Sequence, residues 1–441
     1  MTGWVEAIAM LLQQYARANP GKLGVTRPGF GRLSIAACSF VVSVCTTILI
    51  ARLLTPGAFG IYIFVLWLAT AAVPAIGVGM LTVTSRHIAE IQSQQEPRLA
   101  AGVFHFVWRR QYRSILLYCL IYSLLAWPFS KLFGNSTPVL FLLLAGLSAL
   151  PQLLSGVASI TLRSLHRFGL LAAIRLFGTV TTLLLVVLAT QVQGNLIGIL
   201  LLISATAATI PLAIAMMCIL RLLPIREAAA PGAMLKDRLT RGLNNSLLLF
   251  TMDVIVWQRS EMLLLVHSHS TAELSFYALS SMISTRVIDI APTLLSTCLL
   301  PLLLRYVPGQ RYTCASDAFV KTSRYVALLA IPLCAGTIIF CPGIIAFCFG
   351  NVYLPVVMPL RILLVAAAFG SVATVSLTHL ANGERKQAQI KLGLYAASLN
   401  ILLAVPCIAL WGVTGAALAC AAAQIVSATG SIFICKGLIF G

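Results

Sequence analysis

Charge is what this chain has least of. Only 9% of its 441 residues are Asp, Glu, Lys or Arg, and 11 residues are acidic against 30 basic. The runs Leu33–Ala51, Leu53–Ser85, Leu132–Leu162 and Leu176–Leu220 contain none of the four. A water-soluble domain needs a polar surface, so this scarcity excludes one. Histidine is scarce as well. The six are scattered, and His267 and His269 fall in a loop, so they supply no metal-ligand set and no metal or cofactor is expected. A Gly-rich phosphate loop, a nucleophile elbow and a paired-acid motif are all missing. With no room between apolar runs for a sizeable catalytic loop, a membrane-embedded transferase is disfavoured and the chain is not expected to be an enzyme. Residues 1–29 lack the short apolar core and cleavage site of a signal peptide.

What is present is apolar length. Hydrophobic residues make up 60% of the chain and the mean hydropathy is +0.98, the composition of an all-α polytopic membrane protein. A span takes roughly 20 apolar residues. Twelve spans are predicted near 31–53, 57–82, 113–133, 138–162, 168–190, 195–222, 243–266, 274–304, 319–341, 357–381, 388–410 and 413–435. Trp4, Ile8, Leu11, Leu12 and Tyr15 follow a helical period ahead of them, which predicts an interfacial helix. The 12 cysteines lie almost entirely inside apolar runs; Cys334, Cys341 and Cys348 recur every seven residues and read as small hydrophobes.

The net charge of +19 forms no nucleic-acid patch. On this reading 25 of the 30 basic residues collect on one side of the membrane, from Arg17 through Lys436, while Arg52, Lys131 and Arg361 stay near the other. That alternation places both termini in the cytoplasm.

Arg259 and Arg286 are left inside spans, together with Asp253, Glu261 and Asp289. A charge at mid-membrane costs roughly 3 kcal/mol on insertion scales, so such residues face a protein interior or a wet cavity. Asp253, Trp257 and Glu261 share one helical stripe, from which Arg259 points away. Arg286 and Asp289 are three apart and can meet on one face, as a local bridge or with Arg286 available to a ligand.

The two halves resemble each other. Gly60-Ile61-Tyr62 answers to Ser275-Phe276-Tyr277, Thr161 to Thr378, and Ile197-Gly198 to Thr414-Gly415, at offsets of 215 and 217. This predicts a duplicated six-span unit: an N-terminal segment 1–29, a first lobe 30–223, a linker 224–242, a second lobe 243–436 and a short tail 437–441. Binding sites in such repeats lie between the lobes near the midplane.

The run Arg52-Leu53-Leu54-Thr55-Pro56-Gly57-Ala58-Phe59-Gly60-Ile61-Tyr62 resembles the first-hairpin signature of the polysaccharide transporter family. Gly77-Val78-Gly79, Ser85-Arg86-His87, Phe349-Gly350-Asn351-Val352-Tyr353, Leu360-Arg361, Ala381-Asn382-Gly383-Glu384-Arg385, Leu399-Asn400-Ile401 and Trp411-Gly412-Val413-Thr414-Gly415 fit it too. Glu261, ahead of a Leu-rich run, stands where that family commonly carries an acid. The resemblance spans roughly residues 30–436. It implies two six-helix lobes related by a pseudo-two-fold, as in the exporter superfamily that also holds the lipid II flippase and the MATE drug antiporters. The lipid II flippase carries two further C-terminal helices, whereas twelve spans are expected here, the last near 413–435.

The implied activity is flipping of a polyprenyl-pyrophosphate-linked oligosaccharide across a bacterial inner membrane, for O-antigen, capsule or exopolysaccharide export. Partner polymerases and glycosyltransferases are expected alongside. A pyrophosphate needs cationic contacts to replace its lost hydration, and Arg suits phosphate through its planar fork of donors. The candidates are Arg52, Arg175, Arg259 and Arg286; for Arg52 and Arg175 the alternative is snorkelling to headgroups. Asp253, Glu261 and Asp289 are candidates for proton or sodium coupling, and an inside-negative membrane potential is the competing drive. A cation- or proton-coupled drug antiporter is the alternative function.

Overall fold

The computed structural model describes residues 26–71, 97–132, 139–165, 167–192, 194–224, 261–268, 271–294, 313–382 and 386–439. All regular structure among them is helical: α1 Thr26–Leu53, α2 Pro56–Thr70, α3 Pro97–Leu132, α4 Val139–Ser164, α5 Phe168–Ala189, α6 Leu196–Leu222, α7 Glu261–Ser268, α8 Thr271–Leu294, α9 Thr313–Cys348, a 3-10 turn Asn351–Val356, α10 Val357–Asn382 and α11 Lys386–Ile439. Six of these helices are long and apolar enough to cross a membrane. Helices dominate because hydrocarbon offers no partner for a backbone N–H or C=O, so each segment must satisfy its own.

Local signals set the ends. Thr55 stands in extended conformation before α2 and its hydroxyl accepts from the Ala58 N–H at 3.4 Å, with Pro56 opening the helix. Gly412 adopts φ 54, which a side chain resists, and kinks α11 between the expected eleventh and twelfth spans. Two helices outrun their expected limits. α3 starts 16 residues before position 113 and carries Arg98, Arg109 and Arg110 on its added turns; α9 runs past 341 to Cys348. Hydropathy reports the stretch that sits in lipid, not where hydrogen bonding stops. Expected spans two, seven and eight run partly outside the described residues, and the N-terminal interfacial helix lies wholly outside them.

Helices α1–α6 pack on one another, α7–α11 pack on one another, and the main contact between the two bundles is α2 along α8. The internal repeat is visible in the element starts: α8, α9, α10 and α11 begin 215, 216, 218 and 218 residues after α2, α3, α4 and α5. α2 and α8 are therefore repeat equivalents lying against each other, as the two elements beside a pseudo-two-fold axis must. Gly60 and its counterpart Ser275 meet there: a Cβ on Gly60 would stand 3.2 Å from the Ser275 backbone nitrogen.

Small buried side chains let the helices approach, among them Ala145, Ala149, Ala367, Ala397, Ala416 and Ala417. Tyrosines in the first bundle end on helix carbonyls: Tyr118 Oη donates to Ala69 O at 2.8 Å and Tyr122 Oη to Leu142 O at 3.0 Å. Beside Tyr122, Gly146 leaves the ring room; a Cβ there would lie 2.6 Å from it.

Candidate functional site

Glu261 opens α7, eight residues of apolar helix pressed between α8 and α11. It is 1% exposed, the one carboxylate among the buried side chains described. A buried charge must find partners, and two neighbouring helices supply them. Tyr277 on α8 donates its hydroxyl to Oε2 at 2.6 Å. Asn400 on α11 donates Nδ2 to Oε1 at 2.7 Å. The Cys420 thiol, further along α11, reaches the same carboxylate and accepts from Gln424 Nε2 at 3.3 Å. Asn400 and Cys420 lie on opposite sides of the Gly412 kink, so that bend folds two spans of α11 around one acid.

The surroundings are polar for a helix interior. Ser280, Ser284, Ser371, Gln424 and Ser427 are all buried in the second bundle, and the Gln424 Oε1 atom has no hydrogen-bond partner. No cationic side chain contributes to the Glu261 contacts described. A carboxylate held by neutral donors can take up a proton or a small cation without breaking an ion pair.

The other expected residues spread out. Arg52 ends α1 and is exposed, with its guanidinium turned to the end of α9. Arg175 is exposed on α5, near enough to Arg163 for their charges to interact. On α8 the side chains from Leu274 to Ser281 are buried or half-buried, and then Thr285 and Arg286 become exposed. Arg286 thus stands on an exposed face of α8, with Val287 and Ile288 buried just after it. Asp289 follows one turn on, but its side chain lies outside the described set, as do Asp253, Trp257 and Arg259 entirely. The hydrogen bonds described bring none of these arginines to Glu261.

Sequence reasoning missed Tyr277 and Asn400 as partners of Glu261. Both stood in quoted runs for other reasons: Tyr277 as a repeat marker, Asn400 within Leu399-Asn400-Ile401. An amide in an otherwise apolar span was the available signal, because it needs a polar partner.

Comparison with known proteins bears on the whole chain. The family model described as "Polysaccharide biosynthesis protein" matches residues 49–358. A search of curated proteins finds no sequence match. Among solved structures, an inward-facing multidrug resistance MATE family transporter of the MOP superfamily superposes with a TM-score of 0.69 at 14% identity, covering 93% of this chain and 98% of that one. Lipid II flippase MurJ in an inward closed conformation gives 0.69 at 14%, covering 92% and 87%. A MOP superfamily transporter from Pyrococcus furiosus gives 0.58 at 12%, covering 94% and 95%. At such identities the likeness establishes the fold. With the family match over most of its length, the chain belongs to the polysaccharide biosynthesis protein family and has the fold of the MOP-superfamily transporters.

Proposed function

We propose that the protein is a flippase that carries a polyprenyl-pyrophosphate-linked oligosaccharide from the cytoplasmic to the outer leaflet of a bacterial inner membrane by alternating access. The observation that carries this reading is the family match over residues 49–358, joined to a fold in which two repeated bundles meet along α2 and α8. The lobes are taken as 30–223 and 243–436 with both termini cytoplasmic, in keeping with the distribution of Lys and Arg.

Arg286, Arg259 and Arg175 are proposed to stand in for the hydration of the pyrophosphate. The exposure of Arg286 on α8 supports this. α1 makes no extended packing contact with α8, which supports a lateral opening there for the polyprenyl tail. Glu261 is proposed as the coupling residue, exchanging H⁺ or Na⁺ within its cage of Tyr277, Asn400 and Cys420. Asp253 and Asp289 remain further coupling candidates.

The same buried acid is what favours the second reading, a MATE-type antiporter for organic cations. Deleting the gene and scoring both surface glycan and drug resistance separates the two. Loss of glycan with unchanged resistance is the expected result. Unchanged glycan with lost resistance would replace the flippase by the antiporter.

A further inference from the structure

Two signature runs, Arg52–Tyr62 and Phe349–Tyr353, are about 290 residues apart in sequence and meet in space, yet neither takes part in the transport chemistry above. At the end of α9 the chain turns through Gly350, whose φ of 97 belongs to glycine. The Phe349 N–H bonds Ile345 O, and the Gly350 N–H bonds both Ile345 O and Ala346 O. The next two carbonyls, Phe347 and Cys348, are taken by the other bundle: Arg52 donates Nη2 to Phe347 O and Nε to Cys348 O, the latter at 2.8 Å. A helix C-terminus carries unsatisfied carbonyls and a partial negative charge, so a guanidinium is a well-matched cap.

The exchange is reciprocal. Tyr353, in the 3-10 turn that follows Gly350, donates Oη to Ala51 O at 3.0 Å, one residue before Arg52. Turn residues are ordinarily exposed, but Tyr353 is 3% exposed. Its ring meets Phe59 edge-on at 6.1 Å and Phe276 at 6.2 Å, one from each bundle. At the next residue of α2, a Cβ on Gly60 would overlap the Thr271 carbonyl. The two backbones touch there, and any side chain would hold them apart.

We infer that Arg52 and Tyr353, with the bare backbone of Gly60, form a latch that closes the two bundles against each other at the end bearing the α1–α2 and α9–α10 turns. Arg52 is then a positioning residue that stabilises the closed state, not a contact to cargo. The orientation rests on the proposed function: that end faces outward, and each transport cycle must open it.

The test is access to Ser275, which is 0% exposed against Gly60. Ser275→Cys is read in intact cells with a membrane-impermeant maleimide, after subtracting the signal of the parent with its native cysteines. With the latch intact, labelling is slow. Arg52→Ala and Tyr353→Phe should each raise the rate about tenfold, equal to about 1.4 kcal/mol off the closed state, and Gly60→Ala should raise it further. Arg52→Lys keeps the charge with fewer aligned donors and should fall between, which covers the case where Arg52→Ala lowers the amount of protein. Unchanged labelling in both Arg52 variants, with reduced glycan export, would assign Arg52 to the cargo and end the latch. Ser270→Cys, one residue before α8 in sequence, marks the outer face on the proposed topology. If it stays unlabelled, the orientation and the flippase reading fall, and the same comparison in inverted vesicles still decides the latch.

Discussion

The two bundles are repeats of one another, yet they differ where it matters for transport. Taking the offset of 215 from the starts of α2 and α8, the counterpart of Tyr277 is Tyr62 and that of Glu261 is Thr46. With the offset of 218 from α5 and α11, the counterpart of Asn400 is Thr182. In the first bundle these hydroxyls look inward to their own helices: Thr46 Oγ1 donates to Val42 O at 2.8 Å and Thr182 Oγ1 to Gly178 O at 2.8 Å. In the second, Glu261, Tyr277 and Asn400 bond to one another across three helices. Duplication supplied the frame, and side-chain replacement put a titratable group in one copy alone.

Charge divides in the same way. α1–α6 contain no Asp or Glu, but carry Arg27, Arg32, Arg52, Arg98, Arg109, Arg110, Arg113, Lys131, Arg163, Arg175 and Arg221. α7–α11 carry Glu261, Glu273, Asp289 and Asp317 beside Arg286, Lys321, Arg324, Arg361, Lys386, Lys391 and Lys436. The acid-bearing half suits a coupling cation. The asymmetry is that the carboxylates of the described helices all stand in the second bundle, where the proposed coupling residue Glu261 and Arg286 lie together.

The largest expected effect breaks the acid itself. Glu261→Gln keeps the shape and can still meet Tyr277 and Asn400, so protein abundance should hold while glycan export falls about 5- to 150-fold, the span of a coupling free energy of about 1–3 kcal/mol. Thr46→Val at the counterpart should leave export within about twofold, because a helix-internal hydroxyl bond contributes only about 1 kcal/mol to stability. Comparable losses from both would show that the halves are not specialised.

Next in size is Arg286. Arg286→Ala alone should lower export, and Arg286→Ala with Asp289→Ala should be made at normal level yet still fail to export, since the charge rather than a bridge is required. Arg286→Lys should be intermediate through loss of the planar fork. Surface glycan and abundance, measured together, check this; full export by the double variant would make the pair structural.

A smaller effect sharpens the comparison of the tyrosines. Tyr277→Phe removes one donor to the carboxylate and should cost about 1–3 kcal/mol in stability, seen as a lower Tm in detergent. Tyr62→Phe should cost less, as no carboxylate depends on it. The smallest perturbation is topological: Ser270→Cys should be labelled from outside intact cells and Ala229→Cys should not.

Much of this was legible in the sequence, for a physical reason. Apolar length and the siting of Lys and Arg respond to the bilayer alone, so the helical class and the repeat could be read from residues such as Gly60-Ile61-Tyr62 and their echo at Ser275-Phe276-Tyr277. Glu261 stood out because a lone acid in lipid is costly. Its partners did not. Helical spacing tells which residues share a face, but not which helix lies opposite; Asn400 is 139 residues from Glu261 and Cys348 is 296 from Arg52. For Arg52 the sequence left cargo contact and snorkelling open, and gave no sign of its bonds to the end of α9. The expected stripe of Asp253, Trp257 and Glu261 has only its last member among the described residues.

The most direct measurement is movement of a fluorescent polyprenyl-pyrophosphate disaccharide across proteoliposomes holding the purified protein, with and without an opposing H⁺ or Na⁺ gradient. The wild type should flip the lipid, a gradient should accelerate it, and Glu261→Gln should lose that acceleration. A wild type that leaves the pyrophosphate lipid in place while exchanging an organic cation for H⁺ or Na⁺ would contradict the flippase reading and establish the antiporter.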